Sequence, residues 1–187
     1  PEIENTVRVS FFYGYLACST SENKFNETGA IFADPDFFNL FSFPLISGNS
    51  KDCLLSPNSV VISQKASKKY FGNEDPVGKS FKVGEHKEII VSGVFEDFKS
   101  NSNFQGDLVF PLEKISKLTQ IWIEPSWKHE SEIHTFVLFS DNTNPEEISK
   151  KCENYISNYI ENSKHELSFQ PLQNIHVENQ FFWESTQ

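Results

Sequence analysis

SPNSVVISQKASKKYFGNEDPVGKSFKVGEHKEIIVSGVFEDF, residues Ser56 to Phe98, decides the fold of this chain. Ser59 to Ile62, with β-branched Val60, Val61 and Ile62, predicts a strand. Ser63 is suited to cap the helix that follows, because its hydroxyl can accept a free N–H of the first turn. That helix is expected to run to about Phe71, with Ala66, Tyr70 and Phe71 on its inner side. Gly72 can end it in a left-handed conformation. Asn73 to Gly78 reads as a tight turn. Ser80 to Val83 and Glu88 to Phe95 read as an antiparallel pair, joined by Gly84 to Lys87.

Working outward, Thr6 to Leu16 is rich in β-branched and aromatic residues and predicts one or two strands. Ser19 to Asn26 is turn-like, and Thr28 to Ala33 is a short strand. Asp34-Pro35 is expected to open a helix, with Asp34 as cap and Pro35 in the first turn. Phe37, Phe38, Leu40, Phe41 and Phe43 follow, and such apolar density must be buried. Gly48 to Pro57 reads as a loop. Downstream, Ser100 to Gln105 is a loop, Asp107 to Phe110 a strand, and Pro111 starts a helix to about Leu118. Ile133 to Phe139 is a further strand. Asn144-Pro145-Glu146-Glu147 starts a helix to about Ile160, with Ile148, Cys152, Tyr155, Ile156 and Tyr159 on one face. Glu166 to Pro171 reads as a returning strand. Residues 133–171 are thus expected to form a β-α-β unit with parallel strands and a right-handed crossover. The fold class is α+β.

The chain has 187 residues, of which 37% are hydrophobic and 22% charged, the balance of a globular domain. Phenylalanine occurs 19 times, so ring packing should dominate the core. The formal net charge of −10 argues against nucleic acid and against an anionic membrane surface, since both need a basic patch. Lys65, Lys68 and Lys69 read as one solvated helix face. The sequence starts at Pro1 and holds no Met, which leads us to expect a segment of a longer protein with membrane spans outside it. Cys18, Cys53 and Cys152 have no metal-type spacing. Cys152 is expected to be a small buried hydrophobe, and a Cys18–Cys53 disulfide is left open. Asn26-Glu27-Thr28 fits a glycosylation sequon, relevant only in a eukaryotic secretory host.

Each candidate for chemistry has a plainer reading. Gly78-Lys79-Ser80 resembles the end of a phosphate-binding loop, but five residues separate Gly72 from Gly78 where four are needed. Pro76 removes one amide, and Ser80 leads into a strand where the motif needs a helix. His129 and His134 are five apart, not the four of HExxH, and run into a strand where odd spacing places them on opposite faces. His86 and His165 fall in expected turns, and His176 between Ile175 and Val177 reads as structural. Glu96-Asp97 could pose as an acid/base pair, yet carboxylates adjacent in sequence point apart. Asp34-Pro35-Asp36 is a capping device before it is a metal site. No G-x-S-x-G nucleophile elbow is present.

Several stretches together resemble a known family. Asp34-Pro35-Asp36-Phe37-Phe38-Asn39-Leu40-Phe41-Ser42-Phe43, with Leu45 and Gly48, is similar to the DxxFFxxFxFxxxxG segment of the MacB-type periplasmic core domain. Asn58-Ser59-Val60-Val61-Ile62-Ser63, Ala66, Tyr70-Phe71-Gly72 and Asp75-Pro76-Val77-Gly78-Lys79 resemble its sVviSexxAkkyFGxedPiGk core. Val91-Ser92-Gly93-Val94-Phe95-Glu96-Asp97 with Asn101-Ser102 resembles vxGVfxDxPxNSh, except that Phe98-Lys99 stands where relatives often carry Pro. His134-Thr135-Phe136-Val137-Leu138 and Pro171-Leu172-Gln173-Asn174-Ile175-His176-Val177 resemble its tyvlL strand and PLxxIHL element. The Phe-rich version looks most like ABC transporter permeases of Bacteroidetes-type bacteria.

The resemblance implies two lobes. Residues 1–46 and 127–187 form a porter-like lobe of β-α-β units, and residues 47–126 an inserted, mostly-β lobe. It implies a periplasmic domain of an inner-membrane FtsX-like permease, lying between its first two transmembrane helices. Partners are then those helices, a cytoplasmic ATPase, and a periplasmic protein or exported substrate, with a homodimer in the full transporter and no nucleic acid. It implies no enzyme activity: no catalytic residue, cofactor or metal ligand. The domain then couples cytoplasmic ATP hydrolysis to periplasmic movement. The alternative is a periplasmic ligand-sensing module with Trp122 and Trp127 lining a cleft between lobes. A third reading is a hydrolase using Glu96 and Asp97.

Overall fold

Three short runs, Ala30–Ala33, Ser59–Ser63 and Leu108–Pro111, are buried at every residue. Strands with no polar alternation must be covered on both faces. The computed structural model, which describes residues 2–84, 88–119, 133–159 and 168–174, shows how. Its strands are β1 (Ile3–Ser19), β2 (Lys24–Ala33), β3 (Leu45–Gly48), β4 (Ser59–Ser63), β5 (Ser80–Val83), β6 (Glu88–Phe95), β7 (Leu108–Pro111) and β8 (Ile133–Phe139). Its helices are α1 (Phe37–Leu40), α2 (Gln64–Phe71), α3 (Ile115–Leu118) and α4 (Pro145–Tyr159). Single 3₁₀ turns lie at Leu112–Lys114 and Leu172–Asn174. This is the mixed α+β architecture expected from the sequence.

The sheet order is β2-β7-β4-β6-β5-β1-β8, and β2 also pairs with β1. Six strands therefore close a ring: β1–β2–β7–β4–β6–β5 and back to β1. The β2–β7 and β4–β6 pairs are parallel, and the other four pairings are antiparallel. All six strands send side chains inward: Leu16, Phe32, Ile62, Phe81, Val91 and Phe110 belong to one buried cluster. Helix α2 adds Ala66 and Tyr70 to that interior. Alternate residues of β2, β4 and β7, namely Ile31, Val61 and Val109, face a second cluster with Phe37, Phe38 and Phe95. A closed ring removes most exposed edges, a standing hazard for β proteins. Residues on both sides of the expected lobe boundary at 46 contribute strands to the ring.

Strand β2 changes phase part-way. Ala30 and Phe32 face the ring interior, but beyond Gly29 it is Glu27 that is buried, with Thr28 and Asn26 exposed. Gly29 has φ +84°, and the register slips between Phe12–Ala30 and Tyr15–Thr28. Strict alternation cannot skip a residue, so the switch needs a left-handed backbone that glycine alone adopts without cost.

Several local expectations hold. Ser63 accepts from the Ala66 N–H at 3.0 Å, and Gly72 closes α2 with φ +62°. Ser80–Val83 pairs with Glu88–Phe95 as an antiparallel hairpin. Ser63 Oγ also donates to Asp107 Oδ1 at 2.7 Å. Ser63→Ala removes both bonds and is expected to cost about 1–2 kcal/mol in urea denaturation. A loss under about 0.5 kcal/mol would show that Asp97 and Asp107 cap α2 without it.

Others are corrected. The helix after Asp34 starts only at Phe37 and lasts one turn, and its cap residue Asp36 makes no side-chain capping bond. The Asp34 carboxylate is taken instead by Arg8, through Nε and Nη2, both at 2.9 Å, and through the Arg8 backbone N–H. Leu45–Gly48, inside and beside the expected loop, pairs with β6. Pro111 both ends β7 and caps the expected helical run to Leu118, which begins as a 3₁₀ turn at Leu112–Lys114 before α3. Ser168 to Pro171 form no strand, so the returning strand of the β-α-β unit is absent there; Pro171 lacks the N–H a ladder needs, and Phe169 is turned edge-on to Phe139 at 5.0 Å. Glu166 and Leu167 lie outside the described residues. Cys18 and Cys53 are free thiols buried in different clusters, Cys18 inside the ring and Cys53 in the second cluster, so they do not pair. Cys152 is half-buried.

The one-turn helix α1 ends in a Schellman motif. The Phe43 N–H reaches the Phe38 carbonyl at 3.1 Å and the Ser42 N–H reaches Asn39 at 3.2 Å. The pivotal residue is Ser42, with φ +54°, where glycine is usual. Ser42→Gly is expected to raise stability by up to about 1 kcal/mol, measured as the urea midpoint at constant slope. Destabilisation would mean that the serine side chain holds the turn.

By compactness the chain divides into two units. Of the described residues the first comprises 3–84, 88–119 and 133–138, and contains the ring. Of the described residues the second comprises Glu2, 139–159 and 168–174. Its described part is centred on α4, whose Lys151 meets Glu2 Oε1 at 2.7 Å. Ser140 donates its N–H to the Glu2 carbonyl at 3.0 Å.

Candidate functional site

The amides that could cradle a phosphate at Gly78-Lys79-Ser80 are already used. The Gly78 N–H is given to the Val91 carbonyl at 2.8 Å, and the Val91 N–H returns to the Lys79 carbonyl at 2.8 Å. The Lys79 N–H goes to Pro76. Its ammonium pairs with Glu74 and lies over the Phe71 ring. The motif is a turn that feeds β5.

Glu96 and Asp97 are both exposed and do not act together. Asp97 Oδ1 accepts the Lys65 N–H at 3.0 Å, at the start of α2. Asp107 lies at the same end, bonded to Ser63 and 3.6 Å from Lys65 Nζ. Two carboxylates at the positive end of the helix dipole fill a position where an external anion would bind. Of the histidines only His134 is among the described residues, and its ring lies 5.5 Å from Phe11. His86, His129, His165 and His176 lie outside them, as do Trp122 and Trp127. Among the described residues no group of three His, Cys, Asp or Glu is placed to hold a metal. Among the same residues, no helix is long and apolar enough to cross a membrane.

The polar centre that sequence reasoning missed lies inside the ring. Glu27, 5% exposed, accepts at Oε1 from Tyr70 OH and from Lys69 Nζ, both at 2.6 Å. The Lys69 ammonium also sits 5.3 Å from the Phe25 ring. Burial, with the neighbouring Cys18 and Glu27, pushes the Tyr70 hydroxyl far up, so it stays a donor. Burial likewise pushes the Cys18 thiol up to about 11, which leaves it unreactive in the closed fold. A buried carboxylate is tolerated only when bonded in this way. The signal for Glu27 was the broken alternation at Gly29.

The surface offers shallow depressions. One of about 530 Å³ is bounded by Phe38, Ser42, Phe43, Leu45, Gly48 and Asn49. Another of about 400 Å³ lies beside Arg8 and Asp34, with Leu54, Leu55 and Ile115. On β1, Tyr13 and Tyr15 are 84% and 78% exposed. The arrangement is one of stacked rings around a closed sheet, with its buried acid satisfied.

Comparison with known proteins is consistent with that picture. The family model described as MacB-like periplasmic core domain matches residues 1–155. No curated protein matches. Among solved structures, a domain assigned to a permease protein of Porphyromonas gingivalis superposes with TM-score 0.69 at 21% identity, covering 94% of this chain and 83% of that one. The periplasmic region of MacB from Actinobacillus actinomycetemcomitans gives 0.61 at 18%, covering 84% and 67%. The extracellular domain of the noncanonic ABC-type transporter YknZ from Gram-positive bacteria gives 0.55 at 14%, covering 84% and 76%. At these identities the likeness is one of fold, and the P. gingivalis neighbour is in keeping with the Bacteroidetes-type motifs. On the family match over most of its length, this chain belongs to the MacB-like periplasmic core domain family, the periplasmic part of MacB/FtsX-like transporter permeases.

Proposed function

We propose that this domain is a non-catalytic transmission element, which couples ATP hydrolysis on a cytoplasmic subunit or domain to movement of a periplasmic substrate or partner, as part of a homodimeric permease. The observation that carries this reading is β1. It runs from Ile3 to Ser19 as one strand of 17 residues, about 55 Å at the usual rise. It pairs with β2, β5 and β8. A membrane helix leading into Ile3 then pulls directly on a strand hydrogen-bonded along its sides, and load in that direction is shared by many bonds.

The test is made in the full permease with its ATPase, reconstituted in lipid nanodiscs. Four flexible residues, Gly-Ser-Gly-Ser, are inserted before Ile3 to introduce slack. The expected result is that nucleotide-driven displacement of the domain, followed by spin-label distances, is lost while ATP hydrolysis continues. Displacement that survives the slack linker would refute transmission through β1.

A further inference from the structure

We propose that the outer half of the β1–β2 hairpin, Tyr15–Ser19 with Lys24–Thr28, is a latch that opens the six-strand ring at the β1–β5 seam, turning at Gly14 and Gly29 and held shut by Glu27. The latch follows from the ring geometry and does not depend on the coupling role.

The seam is short. Among the described residues, Cys18–Val83 and Ser19–Lys82 are in register across it, with one further bond from the Gly84 N–H to the Ala17 carbonyl. The same hairpin half is continuous with β2 over Tyr15–Thr28 to Ser19–Lys24, so it can move as a pair. Its inner limit is marked on both strands. On β1 the pairing lapses between Phe12 and Tyr15, spanning Tyr13 and Gly14, and on β2 Gly29 stands at φ +84°. A bulge opposite a left-handed glycine is where a ribbon bends with least resistance.

What fastens the latch is polar. Glu27 bonds two residues of α2, Tyr70 and Lys69, and Phe25 stacks on Tyr70 at 4.7 Å between ring centres. A carboxylate regains water when it leaves the interior, which offsets the bonds it gives up. An apolar side chain in its place would gain nothing on opening. Glu27 therefore closes the ring while leaving the opening free energy below that of global unfolding.

Two buried thiols report on this. Cys18 lies inside the ring beside the seam, and Cys53 lies in the second cluster. The folded chain is treated with iodoacetamide at neutral pH, and the modification of each cysteine is followed by peptide mass spectrometry. Glu27→Gln is expected to raise the Cys18 rate about ten-fold and to leave the Cys53 rate within about two-fold. Lys69→Gln, which keeps the Tyr70 bond, is expected to give a smaller rise in the same direction, and it carries the test if Glu27→Gln does not fold. Equal factors for both thiols, or an unchanged Cys18 rate in the folded variants, would overturn the latch.

Discussion

Phe37→Ala is expected to lower the free energy of unfolding by about 4 kcal/mol, near the top of the range for a single large-to-small core change. Phe37 is wholly buried. Its ring meets Phe38, Phe41, Phe43 and Phe104 at centroid separations of 5.2 to 5.4 Å, in tilted and edge-on arrangements. Phe104 in turn meets Phe11, Phe98 and Phe136, so one ring joins β1, β8, the α1 turn and the loop before β7. Truncation leaves a cavity that stiff aromatic neighbours cannot fill by small shifts. Urea denaturation at unchanged slope gives the number. Phe37→Leu, which keeps most of the volume, should cost about 1.5 kcal/mol or less. A loss under about 1 kcal/mol for Phe37→Ala would show that the rings repack freely.

Gly48→Ala is expected to cost about 3 kcal/mol, although one methyl group is added at an exposed site. Gly48 has φ +94°, and a Cβ there would stand 2.5 Å from the Ser92 carbonyl oxygen and 2.8 Å from Gly93 Cα. Both are backbone atoms of β6, whose pairing with β4 fixes them. Gly48 and Gly93 face each other in register, so the two strands meet where neither has a side chain. Relief requires β3 to leave β6. Gly72→Ala separates the two contributions. Gly72 also has a positive φ, +62° with ψ −119°, but no atom lies within 4 Å of its would-be Cβ. It should therefore cost only about 1–2 kcal/mol, the backbone part alone. Equal losses at the two glycines in thermal or urea unfolding would remove the steric part of the argument.

The sequence was most readable where one local rule decides the structure. Ser63 as cap, Gly72 as stop and the Ser80–Phe95 hairpin each depend on neighbours within a few residues. Strand β3 was not readable because Pro44 and Gly48 bracket only a few residues, and its existence depends on Gly93, far along the chain. Asp34 reads as a cap by its position before Pro35, but Arg8 on β1 competes for it with a bidentate pair, a stronger contact than an exposed cap bond. Glu27 reads as a surface residue between Asn26 and Thr28 until Gly29 is recognised as the point where inward and outward exchange. The Phe-rich segment announced burial but not its partners, since Phe104 comes from a loop read as polar. The closed ring needs β1 to pair on both sides, which no local pattern reports.

If β1 transmits movement as proposed, the ring moves as one stiff body apart from the outer β1–β2 hairpin beyond Gly14 and Gly29. Spin labels at Thr6 on β1 and Ile90 on β6, both exposed, measure the interior of that body in the full transporter. Across the nucleotide cycle, the Thr6–Ile90 distance distribution is predicted to stay unchanged, while the distance from either label to a membrane-helix label shifts. A Thr6–Ile90 distance that changes with nucleotide while the membrane distances stay fixed would contradict the account.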